Sequence, residues 1–373
     1  WLGLGRALDA SGPFLYRGAV AAAFNDARAE RLLRSVIDSA PASDDAYEAY
    51  EGLSHLYLRD GQYLHMIEAM ERRWASFPGR AAEAGEREAM APFRDLPDQH
   101  RVAFGAATLR HEGNIFVPLS IQGGAARYFF DTGAWLSCMS ESEARRLGLT
   151  ASAGRGSVGT STGASVGLRM AVAREVVVGT TRFENVSFAV FPDDQEPWSG
   201  LPLGQRGIIG IPLLLGLQTV RWSHDGTVTV GQEARPLRIE EANLIFDDDH
   251  LVATVGFEKE RVRLTLDTGA ETTDLYQGFA EQFATLLSRT GQKGVHQVRG
   301  VGQAETFESV SLPEAHFEVG GRDTVLRPAH VLLKSIGAKR STGNLGIDLL
   351  QQAAAFRIDL GAMTLELEAL PTP

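Results

Sequence analysis

The stretch ARYFFDTGAWLSCMS, residues 126–140, poses the problem from which the fold follows. An apolar strand-like run, Tyr128-Phe129-Phe130, ends in Asp131, and Thr132-Gly133-Ala134 come next. A charge at the end of a core strand is costly unless it is paired or hydrogen-bonded. Asp, Thr and Gly are also ordinary turn residues, so a single occurrence reads equally well as a plain strand end. The sequence then repeats itself. VRLTLDTGAETTDL, residues 262–275, places Asp-Thr-Gly-Ala at 267–270 after another apolar run, at an offset of 267 − 131 = 136. The same offset links Gly210 in GIIGIPLLL (207–215) to Gly346 in GNLGIDLLQ (343–351). TVRWSHDGTVTV (219–230) aligns with AFRIDLGAMTLEL (355–367). SVGTSTGASVGL (157–168) resembles VRGVGQAETFES (298–309) with the register moved by five residues. VVVGTTRFENVSFAV (176–190) faces FEVGGRDTVLRPAHV (317–331). Repeats in a fixed order indicate two copies of one structural unit, roughly 112–232 and 243–368.

The remaining composition narrows the function. With 373 residues, 44% hydrophobic and 22% charged, the chain has the makeup of a globular protein of two or three domains. A formal charge of −11 argues against a nucleic-acid partner, whose phosphates call for clustered Lys and Arg. The longest apolar run, around GIIGIPLLLGL, is far short of a membrane span. The first residue is Trp1 rather than Met, which is compatible with a removed leader. The single cysteine, Cys138, excludes an internal disulfide and reads as a packed core thiol. FDDDH (246–250) is open to two readings, a hard-cation site or a solvated loop, and the second is favoured. Nine scattered histidines show no H-E-x-x-H spacing, and Gly159 to Gly163 lack the Lys of a phosphate loop. No metal and no cofactor are expected.

Residues 1–100 have a different texture. YEGLSHLYLRDGQYLHMIEAMERRWASFP (50–78) resembles a tetratricopeptide helix-turn-helix, with Tyr50 and Ser54 at the usual Trp and Gly places and Pro78 closing it. A weaker copy begins 34 residues earlier, at Tyr16, Ala19, Val20 and Ala23 (50 − 16 = 34). AEAGEREAM (82–90) predicts a helix that caps this array or docks it on the β-rich part of the chain. Such a region either simply packs against its neighbour or offers a surface to a protein partner. PFRDLPDQH (92–100), with two prolines and no periodicity, reads as a linker. Beyond it come short β-rich runs: NIFVPLSI, ARYFF, LRMAVAREVVVG, VSFAVF and TVTVG. One short helix is expected in each copy. Ser140 and Glu143 form a capping box opening the first, and YQGFAEQFATLLSRTG, ending at Gly291, reads as the second.

Strand, Asp-Thr-Gly-Ala, Gly-containing hairpin and apolar-apolar-Gly, in that order and twice, resemble the aspartic proteases over about two-thirds of the chain. The motif is most similar to the retropepsin-like branch, while two lobes in one chain is the pepsin arrangement. The resemblance implies a multidomain α+β protein: helical repeats and linker over 1–100, then a duplicated all-β protease fold with lobes at 101–235 and 236–373. It implies Asp131 and Asp267 as a catalytic pair near a twofold axis. Thr132 and Thr268 would cross-link the two loops beneath them. Gly133 and Gly269 let the backbone turn tightly and bring N–H groups to the carboxylates. Ala134 and Ala270, in place of a hydroxyl residue, point to a less acidic optimum than pepsin's. Ile209-Gly210 and Leu345-Gly346 would pack behind the active-site loops. Asn344 departs from the family's apolar preference there, which is expected to loosen that packing. The flaps would be Gly156–Ala164, with Gly159, Thr160 and Gly163, and Gly300–Gln303, with Gly300, Val301 and Gly302. Neither carries the pepsin flap tyrosine, and plain surface hairpins are the other reading.

The activity implied is endopeptidase cleavage of an extended peptide or protein, bacterial in style. A place outside the cytoplasm, the periplasm, is favoured by the resemblance. Two further readings stay open: a non-catalytic peptide-binding or scaffolding protein, and a protease held inactive by its own front end.

Overall fold

Apolar residues at helical spacing in the first 90 positions become helices in the computed structural model. It describes residues 14–80, 83–111, 116–152, 156–159, 165–198, 200–298, 305–334, 336 and 340–370. Helices α1 (Phe14–Ala23), α2 (Ala29–Ser39), α3 (Asp44–Arg59), α4 (Tyr63–Ser76) and α5 (Glu83–Met90) form in succession. α1 packs on α2, α3 on α4, and α2 and α1 both on α3. The start of α3 is fixed locally. The Ser43 hydroxyl accepts the Ala46 N–H at 3.1 Å, and Asp44 and Asp45 complement the helix dipole. α5 docks backward onto α4, where Glu86 pairs with Arg73 and accepts the Trp74 Nε1–H at 2.9 Å. Among the described residues, no helix is long and apolar enough to cross a membrane.

The segment after α5 is not a free linker. Phe93, Leu96, Asp98 and Gln99 are buried, and Phe93 lies against Trp135 with ring centroids 6.3 Å apart. Asp98 accepts the Leu64 N–H at 2.8 Å, and the Gln99 side chain donates to the Pro212 carbonyl at 3.0 Å. Apolar surface on both neighbours overrides the loop-like composition of this stretch.

Strands β1 (His100–Ala103), β2 (Ala107–Arg110), β3 (Phe116–Ile121), β4 (Gly124–Phe130) and β5 (Cys138–Ser140) come next, then helix α6 (Glu141–Arg146). β6 (Gly156–Gly159), β7 (Ser165–Val178), β8 (Thr181–Phe191) and β9 (Gly207–Ile209) follow, then α7 (Ile211–Leu217), β10 (Thr219–Ser223) and β11 (Thr227–Val230). The later part contains β12 (Leu244–Asp247), β13 (His250–Phe257), β14 (Glu260–Leu266), β15 (Asp274–Leu275), α8 (Gln277–Gln282) and α9 (Ala284–Thr290). It ends with β16 (Gln292–Val298), β17 (Glu305–Leu312), β18 (Ala315–Val319), β19 (Arg322–Leu326), β20 (Ala329–Leu332), β21 (Gly343–Leu345), α10 (Ile347–Leu350), β22 (Ala355–Asp359) and β23 (Thr364–Glu368).

Two large sheets surround the two Asp-Thr-Gly-Ala motifs. In the first, neighbours run β8-β5-β9-β4-β3; in the second, β20-β15-β21-β14-β13. The strand senses agree. β4–β9 and β14–β21 are parallel, as are β5–β8 and β15–β20, whereas β5–β9 and β15–β21 are antiparallel. A third, five-stranded sheet is ordered β2-β11-β10-β22-β23 and so draws on both parts of the chain. In it Arg221 lies opposite Arg357, and 357 − 221 = 136. One contiguous apolar core runs from the N-terminal helices through both large sheets.

Three local expectations are corrected. The helix read over YQGFAEQFATLLSRTG is two helices, broken at Phe283. Phe283 lies 4.8 Å from Phe257 and 4.5 Å from Phe279, in a cluster that Phe317 joins, and ring packing sets the break. A further helix follows each apolar-Gly segment, α7 and α10, so each copy holds more than one. The capping box is half formed. Ser140 Oγ accepts the Glu143 N–H at 3.3 Å, but the Glu143 side chain turns instead to Tyr128, Arg146 and the Gly204 N–H. FDDDH forms the β12–β13 turn, where Asp247 pairs with Arg340 at 3.1 Å.

Candidate active site

The ends of β4 and β14 deliver Asp131 and Asp267 to one place. The Asp131 N–H donates to the Ile209 carbonyl at 2.9 Å, and the Asp267 N–H to the Leu345 carbonyl at 3.0 Å. Ile209 and Leu345 are fully buried and hold those strand ends from behind. Beneath the aspartates the threonines lock the loops together. Thr132 Oγ1 donates to the Leu266 carbonyl and Thr268 Oγ1 to the Phe130 carbonyl, both at 2.7 Å. Each hydroxyl also accepts the other threonine's N–H at 3.1 Å. Four buried hydrogen bonds thus cross between the two loops.

The two carboxyl groups lie within hydrogen-bonding reach of each other. Their closeness explains the glycines. Neither Gly133 nor Gly269 has a positive φ, so turn geometry is not what excludes a side chain. A Cβ on Gly133 would sit 2.7 Å from Asp267 Cγ, and one on Gly269 would sit 2.5 Å from Asp131 Cγ. The glycine N–H groups do reach the carboxylates: Gly133 donates to Asp131 Oδ1 at 2.7 Å and Gly269 to Asp267 Oδ1 at 3.1 Å. Behind the loops, a Cβ on Gly210 would meet the Ala134 carbonyl oxygen at 2.5 Å, and one on Gly346 the Thr272 carbonyl carbon at 2.5 Å. The carbonyls of Ala134 and Ala270 accept the N–H groups of Ile211 and Ile347, each at 2.9 Å, tying the loops to α7 and α10.

Burial raises the pKa of both aspartates, and at Asp131 the neighbouring Asp267 charge adds to it, taking it well above the usual range. Asp267 is better served by donors: the Ala270 N–H at 3.0 Å and Asn344 Nδ2 at 3.4 Å join Gly269. The charged form of Asp267 therefore has more hydrogen-bond donors than that of Asp131. Asn344 is not a packing defect. Its amide donates to Asp267, and its Oδ1 accepts the Asp274 N–H at 2.9 Å. The first copy carries Ile208 at this position, so a dyad contact on one side only could have been read by setting the two copies side by side.

Cys138 is buried in β5, and burial pushes its thiol well above its ordinary range. Of the expected flap residues, Gly159 ends β6 opposite Ser165. Thr160, Gly163, Gly300, Val301 and Gly302 lie outside the described residues. The strands leading to them, β6–β7 and β16–β17, are antiparallel hairpins.

Residues 117–217 match the family model whose description is aspartyl protease. Solved structures to which the chain is similar include a retropepsin-like aspartic protease from Rickettsia conorii, at 14% identity over 35% of this chain and 93% of that one, with a TM-score of 0.25. The retroviral protease-like domain of Ddi1 from Leishmania major is similar at 17% identity, 32% and 90% coverage and a TM-score of 0.24. Basic 7S globulin from soybean is similar at 12% identity, 72% and 97% coverage and a TM-score of 0.38. No curated protein matches the chain.

Proposed function

We propose that the chain is an aspartic endopeptidase whose Asp131–Asp267 dyad is shared between two related units, 101–235 and 236–373. The observation that carries this reading is the meeting of the two carboxyls over a loop pair cross-linked by Thr132 and Thr268. The relation between the units is supported by their matching strand senses and by Arg221 facing Arg357, the residues at the repeat offset. A twofold relation maps each of that pair onto the other and Asp131 onto Asp267. The helical region, two stacked hairpins in the manner of a tetratricopeptide array, packs on both units. Arg59 stacks on Phe246 at 4.3 Å and Asn25 donates to the Leu360 carbonyl at 3.1 Å in the second, while Gln99 at the end of the region donates to the Pro212 carbonyl of the first at 3.0 Å.

The chemistry follows from one proton on two carboxyls. Asp267 takes a proton from water as its oxygen attacks the scissile carbonyl carbon, and Asp131 gives its proton to the carbonyl oxygen. In the resulting diol the C–N bond breaks. The nitrogen takes the proton held by Asp267, and Asp131 recovers one from a diol hydroxyl, leaving an acid and an amine. An extended peptide in a cleft between the two units would be held by backbone pairing to the hairpins.

The test is cleavage of a random peptide library from about pH 3 to about pH 8 by the full chain, Asp131→Asn and Asp267→Asn. The expected result is a bell-shaped profile, since activity needs one proton on the pair, with a loss of about 10²-fold or more in both variants. Loss in one variant alone overturns the shared dyad. Peptide binding without turnover in all three chains would favour the non-catalytic reading.

A further inference from the structure

The second unit places a polar cluster beside the dyad where the first unit is apolar. Asp274 stands at the position of Cys138, since 274 − 138 = 136, and is 4% exposed. Its parallel partner across the ladder is His330, where Cys138 faces Ala189. Its antiparallel partner is Asn344, the residue that touches Asp267. Residues directly opposite on neighbouring strands share a face. Asn344, Asp274 and His330 therefore line one continuous surface with the dyad. Leu332 and Tyr276, two positions on, extend it in a small apolar cluster with Phe307 and Val298. The sheet rolls over until His296, on the β16–β17 hairpin, reaches that surface, its ring stacked on His330 at 4.0 Å between centroids.

The Asp274 carboxylate faces His296. Among the described residues, Asp274 Oδ1 and His296 Nε2 are both buried without a hydrogen bond. They approach to 2.9 Å, but not in bonding geometry. Burial pushes Asp274 up to about 7, and it lowers both His296 and His330, so neither imidazole supplies a settled cation. Asp348 and the dyad add carboxylates nearby, and the Lys334 Nζ, 5.3 Å from the centre of the Phe307 ring, is a cation at the edge of the apolar cluster. A deeply buried acceptor without a hydrogen bond, beside further carboxylates, favours a cationic donor.

We propose that this face is a substrate side-chain subsite that takes a basic residue, lysine or arginine, with Asp274 as its specificity-determining carboxylate. The proposal rests on the peptide-binding reading of the cleft. The cationic head would satisfy Asp274, and the aliphatic stem would lie on Leu332, Phe307 and Val298. The first unit, with Cys138 and Ala189 in place of Asp274 and His330, offers no such charge, so the two walls of the cleft differ and a bound chain acquires a direction.

The experiment measures binding to full-length Asp131→Asn, in which cleavage is expected to be lost, by fluorescence anisotropy. The probes are scanned peptides carrying Lys, its neutral isostere norleucine, or Glu at each position. At one position Lys should bind roughly tenfold or more tighter than norleucine, the strength of a hydrogen bond to a charged group. Adding Asp274→Asn should bring that ratio close to one. Should that chain fail to fold by circular dichroism, Asp274→Glu keeps the charge but moves it, and should weaken the ratio. No Lys preference at any position, or a preference that survives loss of the carboxylate, overturns the subsite while leaving the protease reading intact. If no peptide of any composition binds, the peptide-binding reading fails and the subsite with it.

Discussion

At Asp131 and Asp267 identical side chains meet unequal surroundings. Asp267 accepts from two backbone N–H groups and from Asn344, while Asp131 is left with fewer donors and feels its neighbour's charge. Both folded-state pKa values lie above the unfolded ones, so between the two the native state binds more protons, and stability falls as pH rises through that window. Asp274 adds to the same slope from about 4 up to about 7. Replacing Asp131 by Asn removes its share. Asp131→Asn should melt a few degrees higher than the unaltered chain at neutral pH, with the gap closing near pH 4, as thermal unfolding across pH would read. A constant gap would mean the carboxyl is not the source. At this scale the sequence was legible wherever a residue was repeated. Both aspartates, threonines and glycines stood out, because two copies of a costly choice do not arise from turns. What could not be read was the reason for Gly133, which depends on how close Asp267 comes from the other copy. Asn344 looked like an error in an apolar slot because its partner lies 77 residues away.

Elements carry these residues to their places by short parallel pairings. β9 and β21 each wedge between an aspartate-bearing strand and the strand that follows it, and the glycine ending each lets the loop sit down on it. Gly210→Ala would press a methyl group into the Ala134 carbonyl, and Gly210 N–H would lose its seat on Ser137 Oγ at 3.1 Å. We expect a loss of about 1–3 kcal/mol, the usual cost of overpacking, read by urea unfolding, together with reduced turnover because the Asp131 loop shifts. Unchanged stability would show that the loop has room to spare. Strand existence could be read from alternating and β-branched runs, but element ends could not. The break at Phe283 is made by Phe257, a residue from a distant strand that helical periodicity does not register.

Across the whole molecule, the front end behaves as part of the body rather than as a cap. Its core is continuous with both sheets, Arg59 is buried against Phe246, and the 92–99 stretch plugs into α7 through Gln99. Composition alone suggested a linker at 92–100, because two prolines and absent periodicity say nothing about the apolar walls on either side. Removing residues 1–100 would bare those walls. The truncated chain should be insoluble or bind hydrophobic dye strongly, and a soluble, fully active product would show that the front end is dispensable. The five-stranded sheet shared by β10 and β22 bears on how the two sides of the cleft can change. A subunit that must pair with its own copy can alter its binding wall only in duplicate. On the two-unit reading proposed above each wall would be encoded separately, so Cys138 and Asp274, or Ile208 and Asn344, could diverge while the shared sheet, with Arg221 opposite Arg357, holds the halves in register.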